Sequence, residues 1–564
     1  MLKNQLTQKW GLPKTWLSFL LVTILILGIF FRLTNLEGKV YWFDETFTSL
    51  RISGYTEAEL VQHFQQTQII GIQDLQKYQY LKPERSLVDT IKSLSLEDPQ
   101  HPPLYYIIAR FWAQWFGTSV TAMRSLSALI SLLAFPSIYW LCRELFNPPL
   151  TKTSHHPSPA PSATSATPVG WVATAIIAVS PFHLLYAQEA REYSLWTVTI
   201  LLSSATLLRA IRLKTQVSWG IYAVTLAISF YTFLFSGLVA IGHGIYIITL
   251  ERYRLNKTTI AYQIASLLAI ITFIPWLLVV ATNLHQIHNV TEWATRKQTL
   301  LQLVLRWGIA FSRIFIDFNI SPTAPLLHTL TLGSIILILL FFVGYSLYFL
   351  FVNTPKRIWL FIFTLIGVTA IVLILPDLVV GGKRSTMPRY LIPFYLGIQL
   401  CFAYLIATKL SHISIKSNQY KLWNFVLIAV VSMGVFSCTM ISQAEVWWTK
   451  ILNIDTPKIA DIIDRSPHPL VISDAQMPYF LTLSYLLDPK IKLTIQPKCY
   501  TCNLNSQLAV KPYIPQISDG FTEIFLYQYT SSKKWIDELK KQTNYQIELV
   551  YTGSEEQLWK LDKN

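Results

Sequence analysis

The sequence is poor in charge: only 14% of its 564 residues are Asp, Glu, Lys or Arg, whereas soluble globular proteins contain about 25%. In addition, 52% of the residues are hydrophobic. Together, these two values exclude a chain that is water-soluble throughout. Several apolar runs exceed the roughly 18 residues that a helix needs to cross a bilayer. The composition therefore predicts a polytopic α-helical membrane protein.

Cysteine is also scarce, with five residues in the whole chain. Cys142, Cys401 and Cys438 lie in or beside apolar segments, where we expect small buried side chains. Cys499 and Cys502 form a Cys-x-x-Cys pair in a polar region, but a zinc ribbon needs a second such pair, which the sequence lacks. We therefore predict a local disulfide, and a redox-active pair is the alternative.

The formal charge of +15 is strongly one-sided. Lys and Arg concentrate in short links between apolar runs, on the side that the positive-inside rule assigns to the cytoplasm. This pattern resembles no groove-reading patch, so we expect no nucleic-acid partner. The basic N-terminus, with Lys3, Lys9 and Lys14, predicts a retained signal anchor over 15–31 in the plasma (inner) membrane, with a cytoplasmic N-terminus.

The apolar runs predict about eleven spans within a membrane module of residues 1–444. Expected spans lie near 15–31, 121–143, 169–186, 193–208, 218–250 (two spans), 260–282, 326–352, 358–376, 390–408 and 422–440. The first outer loop, 33–120, contains a short aromatic helix, 104–116, that we expect in the membrane interface. Residues 147–168 are rich in Pro, Ser, Thr and Ala and predict a flexible cytoplasmic linker.

Residues 445–564 are soluble in character and predict a small α/β domain on the extracytoplasmic face. Short β-branched and aromatic runs predict strands at 470–473, 490–494, 523–527 and 546–551. Apolar spacing predicts an amphipathic helix at 534–541.

Asp44 and Glu45 are the first candidate for chemistry, because two carboxylates stand among aromatic residues just beyond the first span. Charges at a membrane surface are costly to desolvate. A carboxylate beside apolar groups holds a proton more tightly, which suits a general base. Solvated loop charges are the alternative.

Cations on the predicted outer side form the second candidate, because they oppose the inward bias of positive charge. Lys383, Arg384 and Arg389 lie there, and Arg191 is expected to join them. A phosphate group would explain the placement, and a salt bridge or a contact with anionic lipid is the alternative. His101, before two prolines, is either part of a structural turn or a ligand for substrate or metal.

Four motifs, in this order along the chain, resemble those of the GT-C glycosyltransferases over about residues 15–440. They are Asp44-Glu45 after the first span, His-Pro-Pro-Leu at 101–104, Gln-Glu-Ala-Arg-Glu-Tyr at 188–193 and Pro-Arg-Tyr-Leu-Ile-Pro at 388–393. The similarity is greatest to protein O-mannosyltransferase-like and aminoarabinose-transferase-like enzymes.

The resemblance implies an enzyme that transfers a hexose or pentose from a polyprenyl-phosphate donor to a hydroxyl of a protein, lipid or glycan, with inversion. The acidic pair would be catalytic, with Asp44 as the general base and Glu45 beside it. Residues expected to bind substrate are His101, Arg191, Lys383, Arg384, Arg389 and Tyr390. No clear metal set matches the family, so dependence on a divalent metal stays open. The competing hypotheses are a transporter or flippase of a lipid-linked sugar, and a scaffold that displays the outer domain.

Overall fold

The structure is a computed structural model that describes residues 16–65, 69–147, 166–319, 326–412, 414, 416–502, 520–529 and 545–563. The predicted basic N-terminus, most of the linker and the predicted helix 534–541 lie outside these residues. The chain divides into two compact units. The first contains Met1–Thr34, Ser127–Leu278 and Thr291–Ser442, and the second contains Asn35–Leu126, Val279–Val290 and Gln443–Asn564.

Seven helices in the described part of the chain are long and apolar enough to cross a membrane, or eight if one bent pair counts as a span. They are Val120–Phe146, Tyr193–Leu213, Lys257–Thr282, Gly333–Asn353, Lys356–Val379, Pro388–His412 and Asn418–Asn453. The other three expected spans correspond to the helices Trp16–Leu33, Gln216–Thr232 and Ser236–Leu250, of 18, 17 and 15 residues. The chain is a multi-pass membrane protein, and among the residues that the structure describes, length and composition alone identify seven or eight crossings, against about eleven predicted.

The bounds of the individual helices differ from those of some of these spans. Their bounds are Val120–Leu132, Ala134–Phe146, Leu326–Asn353, Ile392–His412 and Asn418–Gln443, and further helices of the first unit are Leu300–Ser312 and the 3₁₀ helices Glu292–Thr295, Arg384–Thr386 and Pro388–Leu391.

The bent pair consists of Ala166–Ala178 and Pro181–Ala187, which meet at 60°. A proline begins the second helix, where its missing N–H removes no helical hydrogen bond. Arg32, which is buried, donates to the carbonyl oxygens of Ile177 and Ala178 at 3.0 and 2.7 Å. It thereby provides donors to carbonyls at the end of the first helix, where intrahelical partners run out.

The second unit combines the segment predicted to be the first outer loop with the C-terminal segment. Its helices are Phe43–Ile52, Glu57–Phe64, Ile72–Gln76, Leu87–Glu97, Leu104–Phe116, Leu284–Thr291, Thr456–Asp464 and Met477–Ser484, with 3₁₀ helices at Lys77–Gln79 and Trp448–Asn453. One hydrophobic core contains Phe47 and Phe64 from the loop and Ile459 and Phe480 from the C-terminal segment. The loop, which the sequence grouped with residues 1–444, therefore packs with residues 443–564.

The sheet of the second unit has six strands in the order β1-β3-β2-β4-β6-β5. The strands are β1 Ile70–Gly71, β2 Pro469–Ser473, β3 Lys492–Ile495, β4 Glu523–Tyr529, β5 Tyr545–Thr552 and β6 Glu556–Lys563. Strands β3, β2 and β4 are parallel, and the remaining pairings are antiparallel. All four predicted strands are confirmed, whereas β1 and β6 were missed.

Two local predictions are confirmed in the second unit. The aromatic helix is Leu104–Phe116, with Tyr105 buried and Trp115 exposed, and its place in a membrane interface stays a prediction. Cys499 and Cys502 form a disulfide, and we call the segment between them the disulfide loop.

Candidate active site

The two adjacent carboxylates lie in the first turn of Phe43–Ile52, which we call the acidic helix. Asp44 and Glu45 stand where the unpaired N–H groups of a helix attract negative charge. Asn453 Oδ1 accepts a hydrogen bond from the backbone N–H of Phe43 at 3.0 Å. A residue of the C-terminal segment thus caps the start of the acidic helix.

Glu45 is fully buried between two buried cations. Its carboxylate accepts hydrogen bonds from Arg124 Nε and Nη2 at 2.8 and 2.6 Å and from Lys450 Nζ at 2.9 Å. Removing one member of such a cluster would leave an uncompensated charge away from water. The cluster therefore fixes the side chain of Glu45 in one position.

Arg124 also orders the segment that leads into the acidic helix. Its Nη1 donates to the carbonyl oxygens of Leu36 and Lys39 at 2.6 and 2.9 Å, and its Nη2 donates to that of Val40 at 2.7 Å. A guanidinium has five N–H groups in a rigid fork, which suits one side chain to so many acceptors.

The aromatic residues before the acidic pair hold these same two cations. The guanidinium carbon of Arg124 lies 5.5 Å from the ring centre of Tyr41, and Lys450 Nζ lies 5.4 Å from that of Trp42. Cations are attracted to the faces of aromatic rings. The aromatic residues of the Tyr-Trp-Phe-Asp-Glu motif therefore help to hold the side chains of Arg124 and Lys450 beside Glu45.

Asp44 differs from Glu45 in its exposure, because it is half-buried rather than fully buried. Consecutive residues of a helix do not face the same side, so the two carboxylates diverge. Asp44 is the member of the pair that is partly accessible to solvent. Glu45 is the member that ties the helix to its surroundings.

His101 lies in the same unit and connects to the acidic helix through its neighbours. Its backbone N–H donates to the carbonyl of Asp98 at 2.9 Å, and Asp98 accepts a hydrogen bond from Arg51 Nε at 2.7 Å. The imidazole centre is 6.4 Å from that of Tyr106. The turn that contains His101 is thus joined to the last part of the acidic helix.

A buried network surrounds Arg51. Its guanidinium also pairs with Glu97 at 2.6 Å, and Glu97 accepts a hydrogen bond from the backbone N–H of Glu57 at 2.7 Å. Glu57 in turn accepts hydrogen bonds from the N–H groups of Tyr500 and Thr501 at 2.9 and 2.6 Å. Burial, followed by the charge of Glu97, raises the pKa of Glu57 to about 7.

The disulfide loop packs along the acidic helix. The ring of Tyr500 lies 5.1 Å from Phe43 and 6.1 Å from Phe47, centre to centre. Arg51 Nη2 donates to Thr501 Oγ1 at 3.3 Å. Aromatic contacts of this kind stabilise a fixed relative geometry, so the loop supports the helix beyond its first turn.

Two of the predicted cations come together in the first unit. The guanidinium carbons of Arg191 and Arg389 lie 5.9 and 5.7 Å from the ring centre of Tyr193. Arg389 is also 5.6 Å from the ring of Tyr390, and Arg191 Nε is 3.4 Å from a carboxylate oxygen of Glu192. Two guanidinium groups beside one phenol ring can bind a phosphate.

Lys383 and Arg384 have different surroundings in the same unit. Lys383 Nζ lies 5.3 Å from the ring centre of Trp293. Arg384 Nη1 is 3.2 Å from Asp377, whose other oxygen accepts hydrogen bonds from the N–H and hydroxyl of Ser385 at 2.7 Å each. Arg384 therefore forms the salt bridge that the sequence left as an alternative to phosphate binding.

Residues beyond the predicted set complete the acidic site. Arg124, Lys450 and Asn453 were missed, although an arginine at the start of a predicted span was a usable signal. Within the described ranges, no group of three or more His, Cys, Asp or Glu side chains is arranged to hold a metal ion.

No protein-family model matches the chain, and a comparison with curated proteins finds no match. Among solved structures, the chain is similar to ArnT from Cupriavidus metallidurans bound to undecaprenyl phosphate, with 13% identity and a TM-score of 0.47 over 97% of this chain and 98% of that one. It is also similar to the archaeal oligosaccharyltransferase AglB from Archaeoglobus fulgidus in complex with an inhibitory peptide and a dolichol-phosphate, with 10% identity and a TM-score of 0.47 over 86% and 65%. ArnT in the apo state gives 11% identity and a TM-score of 0.42 over 82% and 87%.

Proposed function

We propose that the chain is a GT-C-type glycosyltransferase that moves a hexose or pentose from a polyprenyl-phosphate donor to an acceptor hydroxyl. The reaction takes place on the extracytoplasmic side of the plasma (inner) membrane, and the N-terminus is cytoplasmic. The order of the four motifs supports this assignment, together with the multi-pass architecture.

The observation that carries the proposal is the unequal environment of the two adjacent carboxylates. Glu45 is buried and paired with two cations, whereas Asp44 in the same helical turn is half-buried. A general base must be reachable by the proton that it takes. We therefore assign the general base to Asp44. Glu45 is proposed to be a positioning residue, in place of the catalytic role that was expected for Glu45 from the sequence.

In the proposed reaction, Asp44 takes the proton of the acceptor hydroxyl as its oxygen attacks the anomeric carbon of the sugar. The bond between that carbon and the lipid phosphate breaks, and its electron pair leaves with the polyprenyl phosphate. Attack on the face opposite the leaving group inverts the anomeric carbon.

Arg191 and Arg389 are the proposed ligands of the leaving phosphate. Their positions around Tyr193 support this role, because each preorganised donor aimed at developing charge is worth about 3–4 kcal/mol. Lys383, Arg384, Tyr390 and His101 stay proposed substrate contacts.

The test uses purified protein in lipid nanodiscs with a panel of undecaprenyl-phosphate hexoses and pentoses and extracted envelope material as acceptor. Release of undecaprenyl phosphate, measured by mass spectrometry, reports transfer without knowledge of the acceptor. Asp44→Asn is expected to abolish release while the melting temperature stays unchanged. Asp461→Asn, at an exposed carboxylate of the same unit, is the matched control, and full activity of Asp44→Asn excludes the base. A chelator arm decides whether a divalent metal is needed.

A lipid-linked-sugar transporter is the second candidate, favoured by the 60° break between Ala178 and Pro181 and by buried Arg32 at that break. Transporters use such discontinuous helices near the middle of the membrane. The test uses reconstituted vesicles. This function would be favoured if Asp44→Asn still moves a lipid-linked sugar across the bilayer and the wild type transfers no sugar to an acceptor.

A further inference from the structure

We propose that Lys450 and Asn453 are positioning residues that orient Asp44 for proton transfer. The C-terminal segment would then contribute residues to the active site. This inference rests on the proposed glycosyltransferase function. It differs from a role in acceptor binding, because neither residue needs to touch a substrate.

The two residues contact the acidic helix on either side of Asp44. Lys450 Nζ pairs with the carboxylate of Glu45 at 2.9 Å, and Asn453 Oδ1 accepts the N–H of Phe43 at 3.0 Å. The residues directly before and after Asp44 are therefore both held by the 3₁₀ helix Trp448–Asn453. Fixing both neighbours fixes the direction in which the Asp44 side chain leaves the backbone.

The burial of these residues indicates that their contacts orient the acidic helix rather than stabilise the fold. Lys450, Asn453 and Glu45 are all fully buried. A well-packed apolar substitute for a buried ion pair is often as stable or more stable. A buried charged pair is therefore poorly explained by stability, whereas its hydrogen bonds impose a single orientation on the helix.

The 3₁₀ helix is itself anchored to the sheet. Asn453 Nδ2 donates to Thr456 Oγ1 at 3.2 Å, and the Thr456 hydroxyl donates to the carboxylate of Glu556 at 2.8 Å. The phenol of Tyr527, in strand β4, donates to the same carboxylate. A continuous chain of hydrogen bonds thus connects the first N–H of the acidic helix to strands β4 and β6.

This arrangement predicts a defect in the chemical step rather than in donor binding. A displacement of a reacting group by about 1 Å can lower a rate by about 100-fold. Lys450→Met and Asn453→Ala are expected to lower kcat by about 10- to 100-fold while KM for the lipid donor stays within about twofold of the wild type. Lys450→Arg, which keeps the charge, is expected to recover much of the lost kcat.

The assay is release of undecaprenyl phosphate in nanodiscs from the undecaprenyl-phosphate sugar that the wild type uses. Lys560→Met is the matched control, because Lys560 pairs with Glu523 at 2.9 Å in the same unit and makes no ion pair with the acidic helix. It is expected to keep the wild-type kcat. Melting temperatures are measured for every variant, and if Lys450→Met does not fold, Asn453→Ala carries the test.

A double-mutant cycle with Glu45→Gln separates positioning from general destabilisation. If Lys450 acts through Glu45, Lys450→Met is expected to change kcat by no more than about twofold in the Glu45→Gln background. Wild-type kcat in folded Lys450→Met and Asn453→Ala, or a fully additive cycle, would overturn the positioning role and leave the glycosyltransferase function standing. Absence of transfer by the wild type from every donor would overturn that function and this inference together.

Discussion

At the scale of single residues, Arg124 supports the acidic site through five hydrogen bonds, two to Glu45 and three to backbone carbonyls. Arg124→Met leaves Glu45 with Lys450 and removes the donor from those three carbonyls. We expect the free energy of unfolding to fall by about 3–5 kcal/mol, because buried charges and carbonyls lose their partner. Thermal unfolding in detergent, followed by tryptophan fluorescence, measures the change.

The control is an arginine whose ion pair is exposed. Arg465 pairs with Asp461, and their side chains are 74% and 63% exposed. Arg465→Met is expected to cost about 0–1 kcal/mol, because water screens such a pair. If Arg124→Met and Arg465→Met lower the free energy of unfolding equally, burial does not explain the effect of Arg124→Met.

Glu556 makes stability depend on pH. Burial, the largest cause, raises its pKa from 4.5 to about 8. The folded state then binds more protons than the unfolded state between these values, so stability is full below pH 4.5 and falls as the pH rises towards about 8. Glu556→Gln cannot titrate and is expected to lose less stability over this range.

Melting temperatures of the wild type and Glu556→Gln at about pH 5 and about pH 9 test the sign. The wild type is expected to show the larger decrease. An equal decrease in both proteins would place the titrating group elsewhere, and Glu57, whose pKa is raised to about 7, is the next residue to change.

The residues around Asp44 explain why the sequence revealed only part of the site. The acidic pair was visible because two carboxylates stand among aromatic residues in seven consecutive positions. The partners of Glu45 are 79 and 405 positions away along the chain. No local pattern connects such distant residues, so Arg124 and Lys450 were not predicted, and Glu45 was expected to share the catalytic role.

At the scale of elements, the disulfide loop is a support for the acidic helix. A cross-link that closes so short a loop is expected to contribute about 2 kcal/mol by restricting the unfolded chain. Reduction, or Cys499→Ser with Cys502→Ser, is therefore expected to lower the melting temperature modestly. The double variant should not respond further to reductant, because the other three cysteines are free, and a further decrease would contradict this assignment.

The strands show which elements a sequence can reveal. Strand β2 is buried throughout, so its apolar run was recognisable, and β3, β4 and β5 carried β-branched or aromatic residues. Strand β1 has two residues and exists because it pairs with β3. Strand β6 contains several charged residues and places Leu558 and Leu561 in the core through its pairing with β4 and β5. Pairing, rather than local preference, determined the two strands that were missed.

At the scale of the whole molecule, the second unit is one folding unit built from distant parts of the chain. Its core mixes Phe47 and Phe64 with Ile459 and Phe480, and β1 extends a sheet whose other strands are C-terminal. A chain that ends at residue 442 would expose the apolar side chains of the first outer loop. We expect that loop to lose its native structure, because burial of apolar surface is its main source of stability.

Limited trypsin digestion of full-length and truncated protein in nanodiscs tests this expectation. Lys77, Lys82, Arg85 and Lys92 lie in the first outer loop, and cleavage there is expected to accelerate strongly in the truncated chain, because proteolysis follows the population of the unfolded segment. Cleavage between the helices of the first unit serves as the internal control and should stay unchanged. Equal protection of the loop in both proteins would mean that it folds without the C-terminal segment. Loss of protection would support the proposal that residues 443–564 contribute to sugar transfer by ordering the first outer loop, without contacting a substrate.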